Sequence, residues 1–443
     1  MNSFQYIAVC GYLDYTEQIM SDGADSFTAL GVESLLTDKL KERSIENPTA
    51  VQSLVIPRLL AGKDTVFRSA TGTGKTFAYL LPALQRVASG GGSLASIGSP
   101  ASYGSLLICA PTLELCSQIK AEVDFLTQSL PASYRNTALL IGSVRIEKQI
   151  ENLRRAKPVV IVGNPGRLLV LAKMRKLKLN NLRFVILDEA DRLTAPECLE
   201  ETKELLAIIE RETKRSAARE NTDPAQKSLC VAACSATVGK KASAQLGSLF
   251  ESAEIVECAD HEILRERIEH WALFSEKRRK AQTLRSLLAA LQGKSKKARV
   301  KALVFTSRGD EADLVLSRLL HHHVSAAGLF GKVNKKPQTG AERKDALDSF
   351  REGRVVVLVS TDLAARGLDI PDITHVIALD VPADGEVYIH RCGRTGRAGR
   401  KGVMVTIGDE TQMRLLASLE KKLKIRVMPK ELYQGRVCVP QID

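Results

Sequence analysis

Phe184-Val185-Ile186-Leu187 is a run of four large apolar residues that ends abruptly in Asp188-Glu189-Ala190-Asp191. An unbroken apolar run of this kind fits a strand buried on both faces, as in a parallel sheet covered by helices. Such a strand delivers its last residues to the carboxyl edge of the sheet, where open α/β folds bind ligands. Three carboxylates packed there repel one another and lose hydration, so they need a cation or a basic partner. A Mg²⁺-bound nucleotide would supply one. Two acids after a strand would read as a solvated turn, and the weight of the tetrad rests on a phosphate loop accompanying it.

One does. Ser69-Ala70-Thr71-Gly72-Thr73-Gly74-Lys75-Thr76 follows the short strand candidate Thr65-Phe67 and runs into Phe77-Ala78-Tyr79-Leu80-Leu81, an apolar helical start. The pattern is that of a P-loop in which Ser69 replaces the first glycine. Gly72 and Gly74 let the backbone turn its N–H groups inward around phosphate oxygens. Lys75 reaches the terminal phosphates and the Thr76 hydroxyl joins the Mg²⁺ shell. Thr71 and Thr73 lie in the same cradle, and the following helix points its positive end at the anion.

Short apolar segments alternate with helical stretches along nearly the whole chain, which predicts parallel α/β architecture. In the first half, strands are expected at Thr65-Phe67, Leu106-Ala110, Thr137-Ile141, Val159-Val162, Phe184-Leu187 and Leu229-Cys234. In the second they are expected at Ala302-Thr306, Ser325-Leu329, Val355-Ser360, His375-Leu379 and Val403-Ile407. A length of 443 residues favours two domains. Residues 1–26 read as a poorly defined extension, with Met20 as an alternative start; 27–257 as an ATP-binding domain, 258–272 as a linker and 273–443 as a second domain. Ser89-Gly104, Arg211-Lys227 and Gly293-Lys301 read as exposed loops. After Ile407 only a short helical and basic stretch is expected.

The charge of +13 favours a polyanionic partner, with nucleic acid, anionic membrane and acidic protein all open on charge alone. Nine cysteines without a CxxC pair predict reduced thiols and a reducing compartment. Cys109, Cys230 and Cys234 lie in strand-like runs and are expected to be buried. Neither a signal segment nor a long apolar span is apparent, so cytoplasm is expected and no membrane partner. His321-His322-His323 reads as a polar helix end rather than a metal site. In the second half, His390-Arg391-Cys392-Gly393-Arg394-Thr395-Gly396-Arg397 sets arginines between glycines, which suits close approach of guanidinium groups to phosphate oxygens. Paired with the P-loop half, these arginines read as fingers completing a nucleotide cleft between two domains.

Together these residues resemble the DEAD-box RNA helicases of helicase superfamily 2, in order from about Phe27 to at least Thr406. Asn47-Pro48-Thr49-Ala50-Val51-Gln52 resembles that family's adenine-reading motif. Pro111-Thr112-Leu113-Glu114-Leu115, Ile141-Gly142-Ser143 and Asn164-Pro165-Gly166-Arg167 stand at its RNA-gripping motifs. Ser235-Ala236-Thr237 stands at the element linking nucleotide to strand separation. Val304-Phe305-Thr306, Ser360-Thr361-Asp362, Ala365-Arg366-Gly367-Leu368-Asp369 and His390 to Arg397 are similar to the second-domain motifs. The resemblance implies two tandem RecA-like domains, each a mostly parallel sheet flanked by helices.

By the same resemblance, Phe27 stacks on adenine and Gln52 reads its edges, Asp188 holds Mg²⁺ through water, and Glu189 is the general base. Asp191 ties the tetrad to Ser235, Thr237 and the arginine motif that includes His390. Asp369 contacts ribose, and Arg394 and Arg397 are the fingers. Thr112, Gly142, Asn164, Arg167, Arg343 and Thr361 contact RNA. Several positions depart from the family pattern: Leu113 replaces an arginine, Asn164 a threonine, Phe330 a histidine and Gly340 a glutamine, beside an apparent insertion around Lys335-Pro337. An ATPase with an altered, weaker RNA grip is expected. Its implied activity is local, non-sequence-specific unwinding of short RNA duplexes or remodelling of RNA–protein complexes by a monomer, with protein partners supplying targets. An ATP-gated RNA clamp would use the same motifs and differ in the lifetime of its RNA complex.

Overall fold

The computed structural model describes residues 26–69, 73–89, 105–220, 229–235, 250–258, 267–292, 300–333, 336–365, 370, 372–396 and 400–440. The expected N-terminal extension to Asp25, the loop at 90–104 and the basic segment 293–299 lie outside these residues. The described residues form two compact units, one ending at Cys258 and the other beginning at Arg267.

In the first unit seven strands form one sheet: β1 Thr65–Arg68, β2 Leu106–Cys109, β3 Thr137–Leu140, β4 Val160–Gly163, β5 Phe184–Leu187, β6 Cys230–Ser235 and β7 Glu254–Glu257. Their order is β3-β4-β2-β5-β6-β1-β7, and every pairing is parallel. Burial on both faces explains the continuous apolar runs. Within β5, Phe184 and Ile186 enter one apolar core, while Val185 and Leu187 enter another on the opposite face. All six strands expected in this half occur, displaced by a residue at most at either end. The strand β7 was not expected. It is an edge strand of four residues with both glutamates largely out of the core, so its sequence carries no apolar run.

The polar stretch expected as a loop from Arg211 is helical as far as Glu220, continuing the helix Leu199–Glu220. Leu205, Leu206 and Ile209 anchor the first half of that helix in the core. The polar remainder is supported by neighbours on its own surface, such as Lys214–Glu210 at 2.7 Å across one turn. Residues 221–228 lie outside the described residues.

The second unit contains β8 Ile268–Phe274, β9 Ala302–Thr306, β10 Ala326–Leu329, β11 Lys332–Val333, β12 Lys336–Pro337, β13 Val357–Thr361, β14 His375–Ala378, β15 Gly402–Gly408, β16 Val427–Tyr433 and β17 Arg436–Cys438. Eight of them form a sheet in the order β10-β13-β9-β14-β15-β8-β16-β17, while β11 and β12 make a separate antiparallel pair. Only β16 and β17 pair antiparallel within the large sheet.

Two expectations are corrected here. The linker expected to run to Ala272 gives way to strand at Ile268, because β8 pairs with β15 and β16. Its polar residues disguise it: Glu269 is exposed, and the buried His270 is satisfied by the Tyr388 hydroxyl at 3.0 Å. The chain after Ile407 also does more than end in a basic helix. The β16–β17 hairpin turns at Gln434-Gly435, both with positive φ, the backbone that a two-residue turn needs for twisted strands. Leu432 and Val437, directly opposite one another, pack against the core. His321 ends the helix Gly309–His321, and His322 is its C-cap.

Candidate functional site

The strand order of the first unit sorts its carboxyl edge into two parts. β5, β6 and β1 are adjacent, so the acids after Leu187, the serine ending β6 and the loop after Arg68 share one stretch of edge. Arg68 pairs with Ser235, and the Ser69 N–H donates to the Ser235 carbonyl at 3.2 Å. β3, β4 and β2 are the other adjacent group, and Gly142, Asn164 and Thr112 follow them.

Beyond β1, Thr73 and Gly74 lead into the helix Lys75–Ser89. Gly74 has φ +90°, and a Cβ there would lie 2.4 Å from Gln52 Nε2, so only glycine fits. The Lys75 ammonium donates to the Ser69 carbonyl at 2.8 Å, and the Ser69 and Thr73 hydroxyls are 2.5 Å apart. Thr71 and Gly72 lie outside the described residues.

Asp188 is 5% exposed at the end of β5. Its Oδ2 accepts from the Tyr79 hydroxyl at 2.7 Å; its Oδ1 accepts from the Cys234 thiol and from the Glu189 N–H, each at 2.8 Å. Burial, reinforced by the Asp188 charge, pushes both the Tyr79 phenol and the Cys234 thiol well above their ordinary pKa values. Both therefore keep their protons at neutral pH and act as donors. Glu189 adopts left-handed backbone (φ 50°, ψ 52°) where the chain leaves β5 for the short helix Ala190–Leu193. For a residue with a Cβ this conformation is strained, and such strain gathers at functional sites. Asp191 accepts from the Ser235 hydroxyl at 2.7 Å, joining the ends of adjacent strands.

A carboxylate and a hydroxyl are the hard oxygen donors that Mg²⁺ takes. Among the described residues no three His, Cys, Asp or Glu side chains gather to hold a metal by themselves. Asp188 and Thr76 therefore fit an ion that keeps waters and shares phosphate oxygens, not one held in a protein cage.

Residues 49–245 match the family model for the DEAD/DEAH box helicase domain, and residues 279–399 match the helicase conserved C-terminal domain. The DEAD-box ATP-dependent RNA helicase CshC of Bacillus cereus is 31% identical over 404 residues, covering 91% of this chain and 93% of that protein. The chain belongs to the DEAD-box RNA helicase family. The ATP-dependent RNA helicase CshA of Listeria monocytogenes is 30% identical over 405 residues, covering 91% of this chain and 70% of that protein. Among solved structures, S. cerevisiae Dbp5 bound to RNA and ADP BeF3 is similar with a TM-score of 0.72 at 25% identity, over 92% of this chain and 95% of that one.

Several motif residues of this DEAD-box protein serve its own architecture. Gln52 is buried; its Oε1 accepts from the Thr49 N–H at 2.8 Å and its Nε2 donates to the Gly74 carbonyl at 3.0 Å. The amide expected to read adenine thus ties the helix Ala50–Leu60 to the phosphate loop. Phe27 was expected as an isolated stacking ring, yet it is 2% exposed within the apolar core. Leu30, Val32 and Leu36 of the same segment join it there. At the other part of the edge, Thr112 caps the helix Leu113–Thr127 by accepting from the Leu115 N–H at 3.2 Å. Arg167 donates to the carbonyls of Gly142 and Val144 and to Gln149 Oε1 at 2.8–3.1 Å, holding the turn after β3. Asn164 precedes the helix Pro165–Lys173, its Oδ1 buried with no hydrogen-bond partner among the described residues.

In the second unit Thr361 ends β13 and is half-buried, as is Arg343 in the helix Gly340–Arg351. Phe330 is fully buried in the core, which explains an aromatic at that departure. His390 lies in the helix Gly385–Cys392, and Arg394 just beyond it is 5% exposed. Thr237, Asp369 and Arg397 lie outside the described residues. Sequence reasoning gave Tyr79 no role, expected Cys234 only to be buried and carried Arg391 only as part of the arginine-rich segment. Tyr79 stands one turn after Thr76 and Cys234 directly before Ser235, but spacing alone does not separate them from core residues. Arg391, 1% exposed, grips both oxygens of Asp362 at 2.7 Å and Oδ2 of Asp380 at 3.0 Å.

Proposed function

We propose that this protein is an ATP-dependent RNA helicase whose ATP hydrolysis is stimulated by RNA and drives local unwinding of short duplexes or remodelling of RNA–protein complexes. The observation that carries the reading is the shared edge of β5, β6 and β1. There the phosphate-loop lysine, the acid tetrad and Ser235 stand together, with Ser235 bonded to Asp191. Relatives that are themselves named ATP-dependent RNA helicases support it.

Asp188 and Thr76 would hold Mg²⁺, which when bound neutralises charge on the phosphates. Lys75 would be released from the Ser69 carbonyl to a phosphate oxygen. Glu189 would take the proton of the attacking water, and the Ser235–Asp191 bond would relay the state of this site to the RNA edge. RNA would lie along the ends of β3, β4 and β2, on Thr112, Gly142 and Asn164, with the Arg167 side chain shaping the turn. Arg343 and Thr361 would be its second-unit contacts, and Arg394 and Arg397 the fingers. Eight free cysteines among the described residues support a cytoplasmic, reducing compartment. Among those residues no helix is long and apolar enough to cross a membrane. A monomer, targeted by protein partners, is the expected working form.

The test is ATP turnover with single-stranded RNA, DNA of the same sequence, or neither. RNA alone is expected to stimulate; equal stimulation by DNA would overturn the reading. Leu113, half-buried against the core at the start of its helix, offers RNA no charge. Leu113→Arg is expected to tighten RNA binding and to steepen its log–log salt dependence by about 0.7. Unchanged affinity and slope would show that this position lies off the RNA path.

A further inference from the structure

We infer that Tyr79 and Cys234 are positioning residues that set the Asp188 carboxylate for its cation, an inference that rests on the reading of Asp188 as the Mg²⁺ anchor. A carboxylate offers about four acceptor positions. Among the described residues three are taken in Asp188: Oδ1 by the Cys234 thiol and the Glu189 N–H, Oδ2 by the Tyr79 hydroxyl. The fourth, on Oδ2, is what remains for a metal-bound water.

The two side chains come from different elements and bracket the carboxylate. Tyr79 projects from the phosphate-loop helix and Cys234 from β6, and both are fully buried. The terminal torsion of an aspartate is otherwise broad. Donors on both oxygens remove that freedom before the ion arrives, so the rotation is not lost on binding. Cys234 performs a second task by position: the next residue, Ser235, holds Asp191. A shift of β6 would therefore be felt at both ends of the tetrad.

The test measures the Mg²⁺ dependence of fluorescent ADP binding to the full chain, with binding in EDTA and thermal melting alongside. Tyr79→Phe and Cys234→Ala are each expected to raise the Mg²⁺ concentration for half-maximal binding roughly five- to tenfold. Affinity in EDTA should stay at the wild-type value, and Cys234→Ser, which keeps a donor, should return the Mg²⁺ dependence towards it. A merely structural role would lower the melting temperature and leave the Mg²⁺ dependence unchanged, which would overturn the inference. Should one variant fail to fold, the other two still decide the matter. Asp188→Asn separates the two levels of the argument. If it abolishes the Mg²⁺ dependence while Tyr79→Phe and Cys234→Ala do not alter it, the positioning role alone is wrong. If it has no effect, the anchor reading falls and this inference with it.

Discussion

Glu189→Gln is expected to bind ATP nearly as well as the parent protein and to hydrolyse it about 10²–10⁴-fold more slowly, the usual contribution of a general base. The amide keeps the length of the side chain and the backbone N–H bond to Asp188 Oδ1. The left-handed backbone at this position is common to both residues, so the substitution adds no strain. What is lost is the basicity that accepts the proton of the attacking water. Phosphate release with saturating RNA, beside equilibrium binding of a fluorescent ATP analogue, separates the two effects. RNA-stimulated hydrolysis at the parental rate would remove Glu189 from the mechanism.

Arg391→Ala is expected to destabilise the second unit by about 3–5 kcal/mol, the loss found when one partner of a buried ion pair is removed. The guanidinium is almost wholly buried and bonds Asp362 through two parallel N–H groups, Asp380 through its carboxylate, and the Asp380 carbonyl at 3.0 Å. It also lies 5.3 Å from the Phe305 ring centroid. Truncation would leave the carboxylates of Asp362 and Asp380, whose side chains are 25% and 12% exposed, without the cation they share. Arg391→Lys should recover part of the stability, since it restores charge without the planar fork. Urea unfolding of the full chain by circular dichroism reports the change, and coincident curves for all three proteins would show that the pair contributes nothing net.

Much of this molecule is legible from residues 65 to 407 read as a string. Strands buried on both faces write themselves as apolar runs, so every expected strand of the first sheet is present and the ends are off by a residue at most. Strands outside that regime were missed. In β7, β16 and β17 one side of the strand is solvated, so no run appears. In β8 the apolar run Trp271-Ala272-Leu273-Phe274 is preceded by Glu269 and the buried His270, which hide the start of the strand. The turn at Gln434-Gly435 lacks the asparagine that usually signals a hairpin. The polar end of the helix Leu199–Glu220 escaped because its helicity is inherited from core contacts up to Ile209, not from its own period.

At the site, the sequence by itself determined which groups exist: a phosphate loop, an acid tetrad after a buried strand and an arginine-rich segment. Those depend on local chemistry and on short spacings that survive in any fold. Only the tertiary structure decided what each group touches. The order β3-β4-β2-β5-β6-β1 sets the expected RNA residues along one part of an edge and the nucleotide residues along the other. Gln52 and Arg167 prove to be braces for neighbouring loops, and Asp188 is bracketed by Tyr79 and Cys234, which lie 109 and 46 residues away in the chain. Hydrogen-bond partners at that separation are set by strand order and register, which no local pattern encodes.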